Sequence, residues 1–317
     1  MIDAHLHLWD PGRLDYDWLS HVPTIAGRHG VQEWALLNAT VEQAVFVQAD
    51  CRPDQALAEA DWISEIAPEI PVGAVVAFAP LEQGGAVEGH LAALGERPLV
   101  RGVRRSAQNE ADGFMSRPDH VDGLTFAARA GLSIDVCVRD HQLPELLAVL
   151  RTLLERVPDA RVVIDHLGKP NIATHDGDPD GADWRENLAA LAKLPGVFAK
   201  VSGLTTQDHW ADVRPGRLKP YIDHALACFG GERLMFGSDW PVVALAGGHN
   251  PWLAIFERAI AGLSADDRTQ IRSGTARRVY GLDAGHPRGQ ACPSSNWRTT
   301  RPTITSRARR AGGCRSR

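Results

Sequence analysis

The sequence predicts a single (β/α)8 barrel, and three observations lead to this prediction. The chain contains eight short β-rich segments, most neighbouring pairs of them are separated by a helical pattern, and each pattern is long enough for a covering helix. Strands that alternate with helices indicate parallel βα units. Eight such units in about 280 residues agree in number and length with a (β/α)8 barrel. A doubly wound sheet is the alternative, but no Gly-x-Gly-x-x-Gly sequence follows any strand.

The predicted strands are short and largely apolar, and the predicted helices each have one apolar face. The strands are Ile2–Leu8, Gln43–Gln48, Val72–Phe78, Val100–Ser106, Leu132–Val138, Arg161–Asp165, Val197–Val201 and Leu234–Gly237. The helices are Asp54–Ile66, His120–Ala130, Leu143–Val157, Trp184–Leu194 and Leu218–Phe229, followed by Pro251–Ile260 and a helix near Ala265–Val279. The amphipathic pattern is clearest in Leu143–Val157, where leucines recur at helical spacing.

The first strand carries two histidines in an alternating pattern. Apolar residues alternate there with Asp3, His5 and His7, which is the period of a β-strand. Alternation places both imidazoles on one face, with Cα atoms about 6.6 Å apart. Two imidazoles at that separation can bind one cation or one substrate oxygen. The alternative is a buried polar strand whose histidines are hydrogen-bonded to neighbouring carboxylates.

Two segments interrupt the repeat. The connection 10–42 is longer than an ordinary βα loop and is rich in aromatic residues, which is typical of a lid or a binding wall, or of a cover over one barrel end. Residues 284–317 contain eight arginines, no acidic residue and no apolar periodicity. The sequence therefore predicts a barrel domain over residues 1–283 and a disordered, Arg-rich tail over residues 284–317.

Composition and charge exclude several classes of function. The net charge is −5 although the tail is strongly basic, so the barrel itself is acidic and does not favour nucleic-acid binding. RNA binding by the tail is the less favoured alternative to a solvated tail. The five scattered cysteines contain no Cys-x-x-Cys and indicate reduced thiols. With no membrane-length apolar run and no leader before the first strand, we expect a cytoplasmic protein without a membrane partner.

Catalytic groups in a (β/α)8 barrel come from the C-terminal ends of the strands. Those ends carry His5 and His7 on the first strand, His166 after the sixth and Asp239 after the eighth. Three imidazoles and a carboxylate that converge on one barrel mouth suit a divalent transition metal such as zinc. No Gly-x-Ser-x-Gly sequence is present, which argues against a serine esterase.

Six motifs in this order resemble the amidohydrolase-related family of the amidohydrolase superfamily. They are IDAHLHLWD, VFVQAD, RGVR, VVIDHLGKP, FAKVSGL and LMFGSDWPV, and the similarity covers roughly residues 1–282. Within the family, the chain is most similar to the branch of L-fuconolactonases and L-rhamnonolactonases. The resemblance implies a (β/α)8 barrel whose active centre contains His5, His7, His166 and Asp239.

The sequence departs from the superfamily pattern at the bridge between two metals. Many members bridge two metals with a carboxylated Lys or a Glu on strand four and a His on strand five, where this chain has Arg104, Asp135 and Cys137. We therefore expect no binuclear site. One zinc or manganese ion held by His5, His7, His166 and Asp239, and catalysis without a metal, both remain open.

The resemblance implies a hydrolase that opens a cyclic ester, most simply a sugar aldonolactone of the L-fucono or L-rhamnono type. Asp239 would act as general base with help from His166, while His5 and His7 hold a metal or polarise the carbonyl oxygen. The predicted substrate-binding residues are Gln48, Arg104, Asp135, His141, Lys200 and Trp240. An internal ion pair is the alternative for Asp135 and Lys200, and a structural contact with a carboxylate is the alternative for Arg104.

Three alternatives to this function remain. A dicarboxylate-ring lactonase of aromatic degradation would use Arg101, Arg104, Arg105 and Arg139. A related decarboxylase and a barrel that binds a metabolite without turnover are the others. The expected partner is a small-molecule lactone, and the sequence leaves open whether the protein is a monomer or a homodimer.

Overall fold

The computed structural model describes residues 1–37, 40–179 and 183–282, and it confirms the predicted (β/α)8 barrel. Eight parallel strands pair in sequence order. They are β1 (Ile2–Leu6), β2 (Gln43–Val47), β3 (Val72–Phe78), β4 (Val100–Arg104), β5 (Ser133–Val136), β6 (Val162–Ile164), β7 (Val197–Val201) and β8 (Leu234–Phe236). The predicted tail and its boundary at Asp283 lie outside the described residues.

The barrel closes between β1 and the segment that follows β8. The amide of Asp239 donates to the carbonyl of His5 over 2.9 Å, and the amide of His7 donates to the carbonyl of Trp240 over 2.8 Å. These two bonds continue the parallel pairing at the C-terminal ends of the strands. They also fix the backbone of three predicted site residues, His5, His7 and Asp239, relative to one another.

The helices cover the barrel from outside. They are α1 (Val31–Ala35), α2 (Ala56–Ile66), α3 (Glu88–Gly95), α4 (Pro118–Arg129), α5 (Leu143–Arg156), α6 (Trp184–Ala192), α7 (Pro215–Phe229), α8 (His249–Ile260), α9 (Ala265–Thr269) and α10 (Thr275–Tyr280). Helix α3 was not predicted, because its alanines and glycines surround only two buried leucines and give no clear one-sided pattern. A π-helical turn, Gln270–Gly274, divides the predicted helix near Ala265–Val279 into α9 and α10.

Six strands end one or two residues earlier than predicted, and buried polar residues follow three of these ends directly. Residues such as His7, Gln48 and Asp165 follow β1, β2 and β6 directly. Their side chains are buried. The sequence pattern that predicts a strand therefore continues beyond the last hydrogen bond between neighbouring strands. The pattern therefore predicted the strands correctly but could not locate their last paired residue.

A register shift in β1 between Asp3 and Leu6 changes which side chains face the barrel interior. Ile2 and Ala4 pack inside the barrel, whereas Leu6 packs in the outer layer between strands and helices. A β-bulge lets two consecutive side chains point to the same side. The bulge therefore places His5 and His7 on the same inner face as Ile2 and Ala4, while Leu6 lies on the outer face.

The barrel interior is layered along its axis. At the N-terminal end, α10 and its C-terminal neighbour Leu282 plug the barrel with Ala276, Val279 and Tyr280, which pack against inner residues of the strands. Above this apolar plug lies a fully buried charged layer that contains Asp135, Asp165 and Lys200. Above that layer is the cavity described below. In the part of the chain that the structure describes, no helix is long and apolar enough to cross a membrane.

Candidate active site

A cavity of about 220 Å³ opens at the C-terminal ends of the strands. Seven of the eight strands contribute residues to it, either at their ends or in the loops that follow. The lining residues are His7, Trp18, Ala49, Asp50, Arg104, Gln108, Asn109, Cys137, His166, Lys169, Thr206, Asp239 and Val242. This is the position at which enzymes of this fold place their reacting groups.

His5, His7 and Asp239 converge at the floor of the cavity. The Nε2 atoms of the two imidazoles lie 3.1 Å apart. Oδ1 of Asp239 lies 3.8 Å from Nε2 of His5 and 3.6 Å from Nε2 of His7. Two nitrogens and one oxygen therefore point at a common volume, which suits a single divalent cation.

The other ring nitrogens of these histidines are held by buried groups. Nδ1 of His7 lies 2.7 Å from the carbonyl oxygen of Val47, which can only accept. Nδ1 of His7 therefore carries a proton, and Nε2 is the ring atom that faces the site. Nδ1 of His5 lies 3.2 Å from Asp165 Oδ1 and 3.2 Å from Lys200 Nζ, so its Nε2 is the atom turned towards His7 and Asp239.

His166 lies beside both Asp239 and His5, and its ring centroid is 4.4 Å from that of His5. Its Nε2 is 3.9 Å from Asp239 Oδ1, and its Nδ1 is 2.9 Å from the hydroxyl of Ser202. Gly203 permits this contact, because a Cβ at that position would lie 2.5 Å from Nδ1 of His166. Burial lowers the pKa of His166 to about 4 and outweighs the nearby Asp239 carboxylate, so the ring is neutral at pH 7.

Asp239 is ionised at neutral pH although it is buried. Burial alone would raise its pKa, but the neighbouring His166, His7 and His5 together hold the pKa well below its usual range. The result is a carboxylate on the cavity wall beside a neutral imidazole. That combination can accept a proton from a water molecule held between them.

A charged layer lies directly beneath these groups. Lys200 donates to Asp135 and lies 3.0 Å from Asp165 Oδ1, and both Nδ1 of His5 and the guanidinium of Arg104 contact Asp165. Burial raises the pKa of Asp135 to about 6, against the opposing effect of Lys200. The charges within this layer compensate one another, which is required for ions that are removed from water.

Of the six residues predicted to bind substrate, only Arg104 lines the cavity. Its guanidinium donates to Asp165 Oδ2 over 3.1 Å and to the carbonyl of Gln48 over 2.6 Å. Asp135 and Lys200 are buried in the layer below, without access to the cavity. The structure therefore places these two under the site and not in contact with its contents.

The remaining three lie outside the lining for different reasons. The side chain of Gln48 is buried and exchanges hydrogen bonds with Asp50. Trp240 packs its ring against His29 and Trp34, away from the cavity. His141 is exposed, with its ring 3.9 Å from the carboxylate of Asp112.

Several lining residues were missed as binding candidates. Asp50, Gln108, Asn109, Cys137, Lys169, Thr206, Trp18 and Val242 all lie on loops or at strand ends. Trp18 comes from the long connection 10–42, whose length and aromatic content did indicate a binding wall; its indole nitrogen donates to the carbonyl of Ala49 over 2.8 Å. Asp50 and Lys169 lie within two of the quoted motifs, VFVQAD and VVIDHLGKP, whereas Gln108, Asn109 and Thr206 lie in none of them.

Comparison with known proteins identifies the family. The Amidohydrolase family model matches residues 2–282. The chain belongs to the amidohydrolase family. This confirms the family resemblance, and with it the prediction of a hydrolytic enzyme on this fold.

Three similar proteins within the family carry further information. The L-fucono-1,5-lactonase of Burkholderia multivorans is 34% identical over 295 residues, which is 89% of this chain and 96% of that protein. The L-fucono-1,5-lactonase of Burkholderia ambifaria is 32% identical over 293 residues, which is again 89% of this chain and 96% of that protein. A crystal structure of an amidohydrolase from Burkholderia multivorans with bound zinc superposes with a TM-score of 0.77 at 32% identity, covering 89% of this chain and 99% of that one.

The residues present in this family member fit a single divalent metal ion. His5 and His7 offer two nitrogen ligands and Asp239 an oxygen ligand, and no acidic or imidazole side chain from β4 adds a bridging ligand in the described chain. The backbone carbonyl on Nδ1 of His7 is the kind of outer partner that orients a metal-binding imidazole. His5, Asp165 and His166 form a second group of potential ligands in the described chain, and this group shares His5 with the first.

Proposed function

We propose that this chain hydrolyses a sugar lactone, an aldonolactone of the L-fucono or L-rhamnono type. The observation that carries the proposal is the ionised Asp239 beside the neutral His166, on the wall of a cavity whose charges balance. Asp50 and Asp239 supply two negative charges to the lining, and Arg104 and Lys169 supply two positive charges. A neutral, hydroxylated ring suits such a cavity. The lactonase names of the two Burkholderia relatives support the same substrate class.

In the proposed mechanism, Asp239 removes a proton from a water molecule, and the resulting hydroxide attacks the lactone carbonyl carbon. His166, neutral at pH 7, hydrogen-bonds to this water and orients it. The tetrahedral intermediate collapses with cleavage of the bond between the carbonyl carbon and the ring oxygen. Protonated Asp239 returns its proton to the ring oxygen as that oxygen leaves. The product is an open-chain hydroxy acid, which releases one proton to solvent at neutral pH.

His5, His7 and Asp239 would hold a divalent metal in this scheme. Such an ion, zinc or manganese, would supply Lewis-acid polarisation of the carbonyl oxygen and would lower the pKa of coordinated water. Arg104 is the last residue of β4 and lines the same cavity, so in this proposal it is a further group that polarises the carbonyl oxygen. Its guanidinium keeps a positive charge at every pH used for assay.

A dicarboxylate ring fits this cavity poorly. Of the four arginines that favoured such a substrate, only Arg104 lines the cavity, and two of its nitrogens already bind Asp165 and the carbonyl of Gln48. Arg105 and Arg139 are engaged by neighbouring carboxylate, carbonyl and amide groups, and Arg101 binds backbone carbonyls near the start of β4. A substrate with two extra negative charges would also face the carboxylates of the lining.

The experiment is a pH-indicator assay of proton release with a panel of cyclic esters. The panel contains five- and six-membered aldonolactones, a pyrone dicarboxylate and the lactams that correspond to the lactones. We expect proton release with aldonolactones and little or none with lactams or with the dicarboxylate. Hydrolysis of the dicarboxylate alone would support the alternative lactonase, carbon dioxide release from an aromatic acid would support the decarboxylase, and no turnover with ligand binding would support a binding barrel.

A further inference from the structure

Strained backbone marks four residues of the cavity lining. Six non-glycine residues of the described chain have a positive φ, and four of them line the cavity: Asp50 at 53°, His166 at 53°, Lys169 at 47° and Asp239 at 58°. Left-handed non-glycine residues cost free energy and persist where the surrounding structure holds them, which is common at functional sites. The proposed mechanism uses His166 and Asp239. It leaves Asp50 and Lys169 without a role.

Asp50 is held in its strained conformation by the side chain of Gln48. Nε2 of Gln48 donates to Oδ1 of Asp50 over 2.9 Å, and the backbone amide of Asp50 donates to Oε1 of Gln48 over 2.6 Å. Within residues 1–37, 40–179 and 183–282, no side chain forms a hydrogen bond or an ion pair with the second carboxylate oxygen. Gln48 is fully buried, and its two hydrogen bonds fix the orientation of Asp50, whose second carboxylate oxygen, Oδ2, remains available to the cavity.

Lys169 and Gln108 form a second polar pair in the lining. Nζ of Lys169 donates to Oε1 of Gln108, and the thiol of Cys137 donates to the same oxygen over 3.6 Å. Because an ammonium can only donate, Oε1 of Gln108 is the acceptor, and the amide Nε2 of Gln108 remains a donor. In the described chain no carboxylate lies within ion-pair distance of Lys169 Nζ. The ammonium therefore keeps donor capacity for a ligand.

We infer that Asp50, Gln108 and Lys169 form a subsite that binds neighbouring hydroxyl groups of the substrate ring, an inference that rests on the proposed lactonase function. A hydroxyl both donates and accepts, so one hydroxyl can donate to the free oxygen of Asp50 while an adjacent one accepts from Lys169 or from Gln108 Nε2. A carboxylate or phosphate ligand would satisfy the two donors but would be repelled by Asp50. The subsite thus selects polyhydroxylated lactones over unsubstituted ones.

The kinetic test compares an aldonolactone with unsubstituted δ-valerolactone in wild type, Asp50→Asn and Lys169→Met. Asparagine tolerates the left-handed conformation and keeps the contact with Gln48, but it replaces the outward acceptor oxygen with a donor. We expect each change to raise KM for the aldonolactone about 10- to 100-fold, the usual effect of a lost charged hydrogen bond, with kcat nearly unchanged. Values for δ-valerolactone should stay at the wild-type level.

Asp54→Asn is the matched control, because Asp54 lies in the same connection and its carboxylate is exposed and paired with Arg52. It should leave both substrates unaffected. An Asp50→Asn enzyme that folds, as judged by its melting temperature, and keeps the wild-type preference for the aldonolactone would overturn the subsite. An equal loss with both lactones would also overturn it, because that result indicates a general defect.

A binding measurement separates failure of the subsite from failure of the proposed function. Calorimetry with a polyhydroxylated lactam and with unsubstituted δ-valerolactam requires no turnover. We expect wild type to bind the hydroxylated lactam at least tenfold more tightly, and Asp50→Asn to abolish the difference. If that holds while no lactone is hydrolysed, the subsite stands and the lactonase function fails. If lactones are hydrolysed but wild type binds both lactams equally, the subsite fails and the lactonase function stands.

Discussion

The hydroxyl of Tyr280 donates a hydrogen bond of 2.8 Å to Oδ2 of Asp135. Tyr280 is the last residue of α10, the helix that plugs the N-terminal end of the barrel, and Asp135 belongs to the charged layer under the cavity. Lys200 contacts the same carboxylate and, through its ammonium, Nδ1 of His5. Helix α10 is therefore linked to His5, a candidate metal ligand, through two side chains.

Removal of this hydroxyl tests the link. Tyr280→Phe keeps the packing of the ring but deprives the buried Asp135 carboxylate of one donor, so we expect the free energy of unfolding to fall by about 1–3 kcal/mol. Urea denaturation measures the change. Tyr221→Phe is the matched control, because that hydroxyl donates at 3.1 Å to a neutral backbone carbonyl and should cost less. Equal stability of Tyr280→Phe and wild type would show that the contact contributes nothing.

The Arg-rich segment provides a prediction from sequence alone. Residues 284–317 lack apolar periodicity and cannot bury enough surface to offset the entropy of ordering. A chain that ends at Asp283 retains Tyr280 and Leu282, and we expect it to keep the melting temperature and the lactonase rate of the full chain. Loss of either property would show that the segment contacts the barrel or a partner.

Glu59 gives the fold a defined pH dependence. It is buried on α2, Oε1 accepts from the amide of Ala49, and burial raises the pKa of Glu59 to about 8. Between the unfolded pKa near 4.5 and pH 8, the folded state binds the extra proton, so stability decreases as the pH rises through this window. The slope is at most about 1.4 kcal/mol for each pH unit.

Glu59→Gln mimics the protonated carboxyl and should flatten this slope while it leaves stability at pH 5 nearly unchanged. Chemical denaturation at pH 5, 6.5 and 8 gives the comparison. Glu65→Gln, an exposed change on the same helix, is the control and should keep the wild-type slope. Parallel slopes for Glu59→Gln and wild type would mean that Glu59 is already ionised in the folded protein.

The candidate metal ligands provide a test that does not depend on activity. We expect one zinc ion per chain to bind after dialysis against chelator, as measured by calorimetry and elemental analysis. His7→Gln and Asp239→Asn should each weaken binding by at least tenfold, because each removes one of three convergent ligands. His209→Gln, at an exposed position, should bind like wild type. If the wild-type protein binds no zinc, the metal site is contradicted, and the imidazoles and Arg104 are the groups that polarise the carbonyl.

Much of the fold and the reacting groups could be predicted because their signals are local. The strand pattern and the motifs around His5, His166 and Asp239 lie in continuous sequence, and parallel strands bring their C-terminal ends together. The position of Lys200 on the seventh strand carries no information on depth along the barrel axis. Substrate contact and an internal ion pair were therefore both open for Lys200, and the structure places it in the buried layer, paired with Asp135 and Asp165.

The polar wall of the cavity could not be predicted in the same way. Gln108 and Lys169 lie in loops after different strands, and their contact depends on a left-handed backbone at Lys169. No sequence pattern specifies a positive φ at a lysine. The position of Trp240 directly after Asp239 likewise gives no direction for its ring, which packs against Trp34.

Substitution of Asp239 tests its proposed role as the general base of lactone hydrolysis. Asp239→Asn keeps the size of the side chain but removes the proton acceptor that lies 3.6 Å from His7 and 3.9 Å from His166. The measurement is kcat for the best aldonolactone by proton release, with circular dichroism to verify the fold and Asp54→Asn as the control. We expect kcat to fall by about two to four orders of magnitude in Asp239→Asn and to stay unchanged in the control. A folded Asp239→Asn enzyme with near-wild-type kcat would contradict the role of Asp239 as general base.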